Sequence, residues 1–206
     1  MRLNQLKWFL LISLCLFVTV VMAISSPLPL MQGMANQTLS FLQAHKIQLK
    51  NNPKLVKEIV NQVVVPHIDA DRMAGAVVGR QYWQGATSSL RARFIQEFKQ
   101  LVISTYSTAI ASYDDDKIKF YPIRGGYANQ ATVPVRSVII RKNGQRISIV
   151  YNLIAVGGQW KIYDFSIEGV SMVQSYRSQF ADALTQGGLS VLVNRLIQYN
   201  YNRARR

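Results

Sequence analysis

The chain has 206 residues, one cysteine, and 24 lysines and arginines against 10 acids, for a formal net charge of +14 at neutral pH. A single cysteine excludes an intrachain disulfide scaffold, and 49% hydrophobic content without a low-complexity tract excludes a disordered chain, so a hydrophobic core must hold the fold. The positive field selects anionic partners, which by charge alone include nucleic acid, lipid headgroups and acidic protein faces.

At the amino terminus Arg2 and Lys7 precede an almost wholly apolar run from Trp8 to Ala23. That run is shorter than the roughly 20 residues a spanning helix needs, and Val21-Met22-Ala23 suits a signal peptidase, so residues 1–23 read as a secretory signal peptide cleaved after Ala23. Cys15 follows Leu14, where a lipoprotein signal requires a small residue, so no lipid anchor is expected. Residues 24–206 then form one cysteine-free domain with a net charge of about +12. Export turns that charge toward lipid headgroups or acidic protein faces and away from nucleic acid.

Beyond a Ser-Ser-Pro-Leu-Pro linker, Met31, Met34, Thr38, Phe41, Leu42, His45 and Leu49 recur at helical spacing, and Asn51-Asn52-Pro53 ends that helix. Lys54 to Val65 reads as a second helix, and Asp69 caps a third that runs to about Val78. Gly79 and Gly85 bracket Tyr82-Trp83 in a connecting turn. Thr87 caps the longest helix, to about Ala111, with Leu90, Phe94, Phe98, Leu101, Val102, Thr105 and Ala109 on one side.

After Asp114-Asp115-Asp116 the period shortens to two, which predicts four antiparallel strands over 117–123, 130–141, 145–156 and 159–167. Asn143-Gly144 and Gly157-Gly158 supply the hairpin turns, and Pro134 places an edge or a bulge near its strand. Glu168-Gly169 leads into a helix that turns Val173, Tyr176, Phe180 and Ala183 inward. Gly187-Gly188 caps it, and Leu189, Leu192, Leu196 and Tyr199 mark a last helix whose tail frays from about residue 200, through Arg203 to Arg206. The order predicts an α+β domain with helices on one face of a curved four-stranded antiparallel sheet and room for an apolar cavity between the layers.

Catalytic and metal signatures are weak. His45 and His67 lie far apart with no paired carboxylates, and Gly169-Val170-Ser171 lacks the second glycine of a nucleophile elbow, reading instead as a helix N-cap. The three consecutive aspartates read as a solvated loop more readily than as a cation site, and no phosphate-binding loop occurs. No catalytic residue and no metal ligand is expected. The facing of the elements instead nominates Trp83, Phe94, Phe98, Val102, Tyr106, Val133, Val135, Ile149, Tyr151, Val173, Tyr176 and Phe180 as the lining of an apolar cavity. Arg177 is assigned either to a pair with Asp164, the favoured reading, or to a ligand headgroup.

Three strings carry a resemblance. They are Val64-Val65-Pro66-His67-Ile68-Asp69-Ala70-Asp71-Arg72-Met73 with Val78-Gly79-Arg80-Gln81-Tyr82-Trp83; Phe94-Ile95-Gln96-Glu97-Phe98 with Leu101 and Thr105-Tyr106; and Trp160-Lys161-Ile162-Tyr163-Asp164 through Glu168-Gly169-Val170-Ser171 to Tyr176-Arg177-Ser178-Gln179-Phe180. Together they resemble the MlaC family, also called the toluene-tolerance auxiliary family, over most of the mature chain. Gly75-Ala76 and His67 depart from the family's usual residues. The resemblance implies a cystatin-like or nuclear-transport-factor-like sheet, a periplasmic location, no cofactor, and phospholipid as bound cargo. It also implies carriage between an outer-membrane lipoprotein–porin complex and an inner-membrane MCE-domain protein of an ABC transporter, in a route that maintains outer-membrane lipid asymmetry, with no role for nucleic acid. The alternative is a small-molecule enzyme working in the pocket of a cystatin-like fold, with Asp164 as its one candidate acid.

Overall fold

A computed structural model describes residues 24–49, 52 and 54–205. The expected signal peptide with Cys15, the Asn51 and Pro53 of the first helix stop, and Arg206 lie outside the described residues.

The helical elements are α1 (Pro27–Ala44), α2 (Lys46–Leu49), α3 (Lys54–Ile59), α4 (Ala70–Val78), α5 (Arg80–Gly85), α6 (Ser88–Ala111) and α7 (Met172–Ala204). The strands are β1 (Lys117–Phe120), β2 (Thr132–Ile140), β3 (Arg146–Val156), β4 (Gln159–Ile167) and β5 (Val170–Ser171). They form one antiparallel sheet in sequential order. It has five strands where four were expected, because the positive φ values of Glu168 and Gly169 fold Val170-Ser171 back onto β4. Pro134 sits where β2 has run past its pairing with β1, so its missing N–H leaves no gap in that ladder.

Each expected N-cap is in place: Asp69 accepts from the Arg72 N–H, Thr87 from the Leu90 N–H and Ser171 from the Gln174 N–H. Several boundaries differ from expectation. The first helix breaks at His45, whose ring stacks on Phe41 and bonds its carbonyl. The second helix changes pitch, passing from α3 through a π-turn at Val60–Val64 into a 3₁₀ turn at Val65–His67, since Pro66 cannot supply the amide that would continue an α-ladder. Tyr82 and Trp83 lie in a short helix, α5, instead of a connecting turn. Gly75 permits this packing, because a Cβ there would meet the Trp83 ring at 3.1 Å.

The last two expected helices are two limbs of α7, broken at Gly187 and Gly188. Gly188 has φ +66°, ψ −160°, a region open to glycine and strained for other residues. The first limb runs antiparallel to α6: Tyr106 meets Met172, Phe98 meets Tyr176 and Phe94 meets Phe180. The second limb returns alongside α6, with Asn200 on Glu97 and Arg203 on the Ser104 carbonyl. The expected frayed tail is therefore helical through Ala204, and Asn200 within it is buried.

Three clusters make up the interior of the described residues. The largest joins α4, α5, α6 and α7 around Phe94, Phe98 and Phe180. The second joins α1, through Met31 and Met34, to Val133, Val135, Leu153, Trp160 and Ile162 of the sheet. A third, around Leu42, Leu49 and Val56, ties the first helices to the end of α6. The indole N–H of Trp160 donates to the Ser25 carbonyl at 2.7 Å and clasps the start of the described chain to the sheet.

Candidate functional site

Strand alternation sets the inner face of the sheet. The paired registers place Ile118 and Phe120 of β1, Val133, Val135, Ser137 and Ile139 of β2, and Ile147, Ile149, Tyr151 and Leu153 of β3 on one side. On β4 the register slips once, leaving Tyr163 as an extra residue between Asp164, opposite Asn152, and Ile162, opposite Leu153. The slip brings Trp160, Ile162, Phe165 and Ile167 all to the inner face, where strict alternation would have turned one pair outward.

Helices cover this face unequally. Helix α1 seals the end at Val133, Leu153 and Trp160. Helix α6 packs on α7, α4 and α3, and reaches the sheet through Tyr106, edge-on to Phe165 at 6.2 Å, and through Ser112, whose carbonyl accepts from Arg141. Between those points Ile118, Ile139, Ile147 and Ile167 are half-buried, and with Ile149 they join none of the three packed clusters. Val102 and Tyr106 of α6 are likewise half-buried. Half-buried apolar side chains thus form a wall on the inner face toward the hairpin end of the sheet.

Eleven of the twelve residues nominated from the sequence divide between two of the clusters, and Ile149 lies outside them. Trp83, Phe94, Phe98, Val173, Tyr176 and Phe180 pack in the helical cluster, with Val102 and Tyr106 against it. Their rings fill the space among them: Phe94 stacks on Phe98 at 5.5 Å, and both meet Phe180 edge-on at 6.2 and 6.0 Å. Val133 and Val135 belong to the sheet cluster, with Tyr151 against it. Ile149 stands on the inner face beside Tyr151. The residues that extend the wall, Ile118, Ile139, Ile147, Phe165 and Ile167, were not nominated. Their signal was the alternation itself, but the β4 slip hid Phe165 and Ile167.

Polar groups on the wall are sparse. The Ser137 hydroxyl is buried without a hydrogen-bond partner. Tyr151 is half-buried, and desolvation pushes its phenol pKa above the usual range, with Ser137 beside it pulling the other way. Asp164, the one candidate acid, is occupied in structure: it accepts from the Ser171 hydroxyl at 2.8 Å and from the Val173 N–H at 3.1 Å. The favoured Asp164–Arg177 pair is not formed. These two bonds use both carboxylate oxygens to start α7, and Arg177 lies exposed over Gly79. The three aspartates are held by cations: Lys46 pairs with Asp114 and Asp115 at 2.7 and 2.9 Å, and Arg141 with Asp116 at 3.0 Å.

A helix-backed antiparallel sheet whose inner face offers hydrocarbon contact and two hydroxyls has the form of a small α+β binding protein for an apolar ligand. The family model described as MlaC protein matches residues 32–198, and the chain belongs to that family. It is 28% identical over 179 residues to the toluene tolerance protein Ttg2D of Pseudomonas putida, covering 87% of this chain and 82% of that one. It is 27% identical to the intermembrane phospholipid transport system binding protein MlaC of Haemophilus influenzae, covering 96% of this chain and 95% of that one. Among solved structures, a phospholipid-binding protein from Ralstonia solanacearum, in complex with a phospholipid, superposes with a TM-score of 0.80 at 28% identity. That match covers 87% of this chain and 99% of the other.

Proposed function

We propose that this protein is a phospholipid-binding carrier, exported to the periplasm by residues 1–23, that shelters acyl chains against the inner wall of its sheet and has no catalytic role. The observation that carries the reading is the half-buried apolar wall on the inner face of the sheet, in a chain whose fold matches a phospholipid complex. Two acyl chains hold about 30 methylenes, and at about 0.8 kcal/mol each their exposure to water costs on the order of 25 kcal/mol. Free transfer of a phospholipid across an aqueous gap is therefore negligible, and a carrier must cover the tails. Val102, Tyr106, Ile149 and Tyr151 form the lining together with the isoleucines at the hairpin end, while the ring cluster of Trp83, Phe94, Phe98, Tyr176 and Phe180 forms the packed wall behind α6.

The net positive surface suits an anionic headgroup left at the mouth. No phosphate-binding loop occurs in the sequence, so directed transport draws on a partner or on a difference in lipid affinity along the route. In this reading cargo passes between an outer-membrane lipoprotein–porin complex and an inner-membrane MCE-domain protein of an ABC transporter, the route the family resemblance implies. Native mass spectrometry with lipid extraction, on protein purified without detergent, tests the central claim. A bound species of phospholipid mass near one-to-one is expected, and a lipid-free protein with an empty extract would overturn the carrier reading.

A further inference from the structure

We propose that the Tyr151 hydroxyl, positioned by Ser137, is the hydrogen-bond donor that recognises an acyl-ester carbonyl of the bound lipid. The proposal rests on the phospholipid reading above and names a polar subsite within it.

Tyr151 stands in the middle of the inner face, with Val135 opposite it on β2 and Phe165 opposite it on β4. Its ring stacks against Phe120 at 6.4 Å, and Ile149 and Leu153 flank it along the same strand. The Ser137 side chain lies one inner-face position further along β2, beside the phenol, with its own hydroxyl unpartnered. Apart from the Trp160 indole, whose N–H is engaged by the Ser25 carbonyl, the rest of this face is hydrocarbon. Two hydroxyls placed there have more hydrogen-bonding capacity than the protein satisfies, which is costly in a dry site unless the ligand completes it.

The chemistry of the site narrows what the ligand brings. A phosphate is disfavoured, because the residues around Tyr151 include no lysine or arginine to balance a buried charge, and Arg141, just beyond β2, is already paired with Asp116. Plain hydrocarbon would leave the phenol O–H unmet. A neutral acceptor embedded in an apolar molecule fits both conditions, and in a diacyl phospholipid that group is the ester carbonyl, where the tails join the glycerol. In the lipid-bound state the free Ser137 hydroxyl donates to the Tyr151 oxygen and the Tyr151 O–H donates outward to the carbonyl, so each bond polarises the next. Burial holds the phenol above its ordinary pKa and keeps it protonated as a donor. Ser137 is thus a positioning residue and Tyr151 the ligand contact.

The test is competition for the lipid-stripped protein between dipalmitoyl phosphatidylglycerol and its dihexadecyl ether counterpart, which has the same headgroup and chain length but no carbonyls. Bound ratios are read by native mass spectrometry at equal lipid concentrations. In the wild type the ester lipid is expected to exceed the ether by about ten-fold, the size of one good hydrogen bond. Tyr151→Phe keeps the ring and its packing, and is expected to bring the ratio to about one by weakening the ester lipid alone. Ser137→Ala is expected to give an intermediate ratio, and decides the matter if Tyr151→Phe does not fold. A wild-type ratio near one, or a ratio unchanged in the variants, would overturn this proposal while leaving phospholipid binding intact. Retention of neither lipid by the wild type would remove the phospholipid reading and this proposal with it.

Discussion

At the residue scale, Phe98, nominated for the cavity lining, and His67, set aside as a metal ligand, are used in different ways. Phe98 stacks on Phe94 and meets Tyr176 edge-on at 5.1 Å, so truncation leaves a hole its neighbours cannot close. Phe98→Ala is expected to cost about 3–5 kcal/mol of stability, read as a lowered urea midpoint. His67 is tuned by its surroundings. Partial burial disfavours its charged ring and the Lys161 ammonium adds to this, so its pKa lies below the usual histidine value. The fold favours the neutral imidazole, so this contribution is complete above the unfolded pKa of about 6.5 and is lost as pH falls through the lowered folded value. Comparing urea midpoints at pH 7.5 and pH 5 should therefore show a larger acid loss in the wild type than in His67→Gln; equal losses would dismiss the effect. Neither role was visible in composition, because burial and the approach of Lys161 are set by packing.

At the scale of elements, caps and turn residues were the most legible features. Asp69, Thr87 and Ser171 cap helices because their side chains answer free amides a few residues on, which is local chemistry. The Asn143-Gly144 hairpin is equally local. What stayed hidden depended on distant partners. Alternation could not reveal the slip at Tyr163, and helical periodicity could not reveal the π-turn ahead of Pro66. The break in α7 was read as a cap, which is correct for the residues and incomplete for the chain, since the second limb returns along α6. Gly188→Ala tests that turn. A side chain at φ +66°, ψ −160° is expected to cost about 1–3 kcal/mol and to lower the thermal midpoint, whereas an unchanged midpoint would mean that the turn relaxes freely.

For the whole molecule, the sequence-derived α+β class and the order of helices, strands and helices hold, and the site was only partly legible. Periodicity marks a side chain as inward, yet Phe94 in a filled cluster and Ile147, half-buried and outside the clusters, look alike to it. Covering the inner wall of the sheet with ligand should stabilise the native state by mass action. Stripping lipid from the purified protein is accordingly expected to lower its thermal midpoint, and adding phospholipid vesicles to restore it; a midpoint indifferent to both would count against acyl chains as part of the packed interior. The sequential strand order bears also on how the molecule is made. In a chain completed from its amino terminus, each strand meets a partner already present, so the sheet can grow hairpin by hairpin. The long-range closures come later: the Ser25–Trp160 clasp waits for β4, and the Glu97–Asn200 contact waits for nearly the last turn of the chain. Until that turn is made, α6 has only one of its two companion limbs, and the helical half is the last part of the molecule to become rigid.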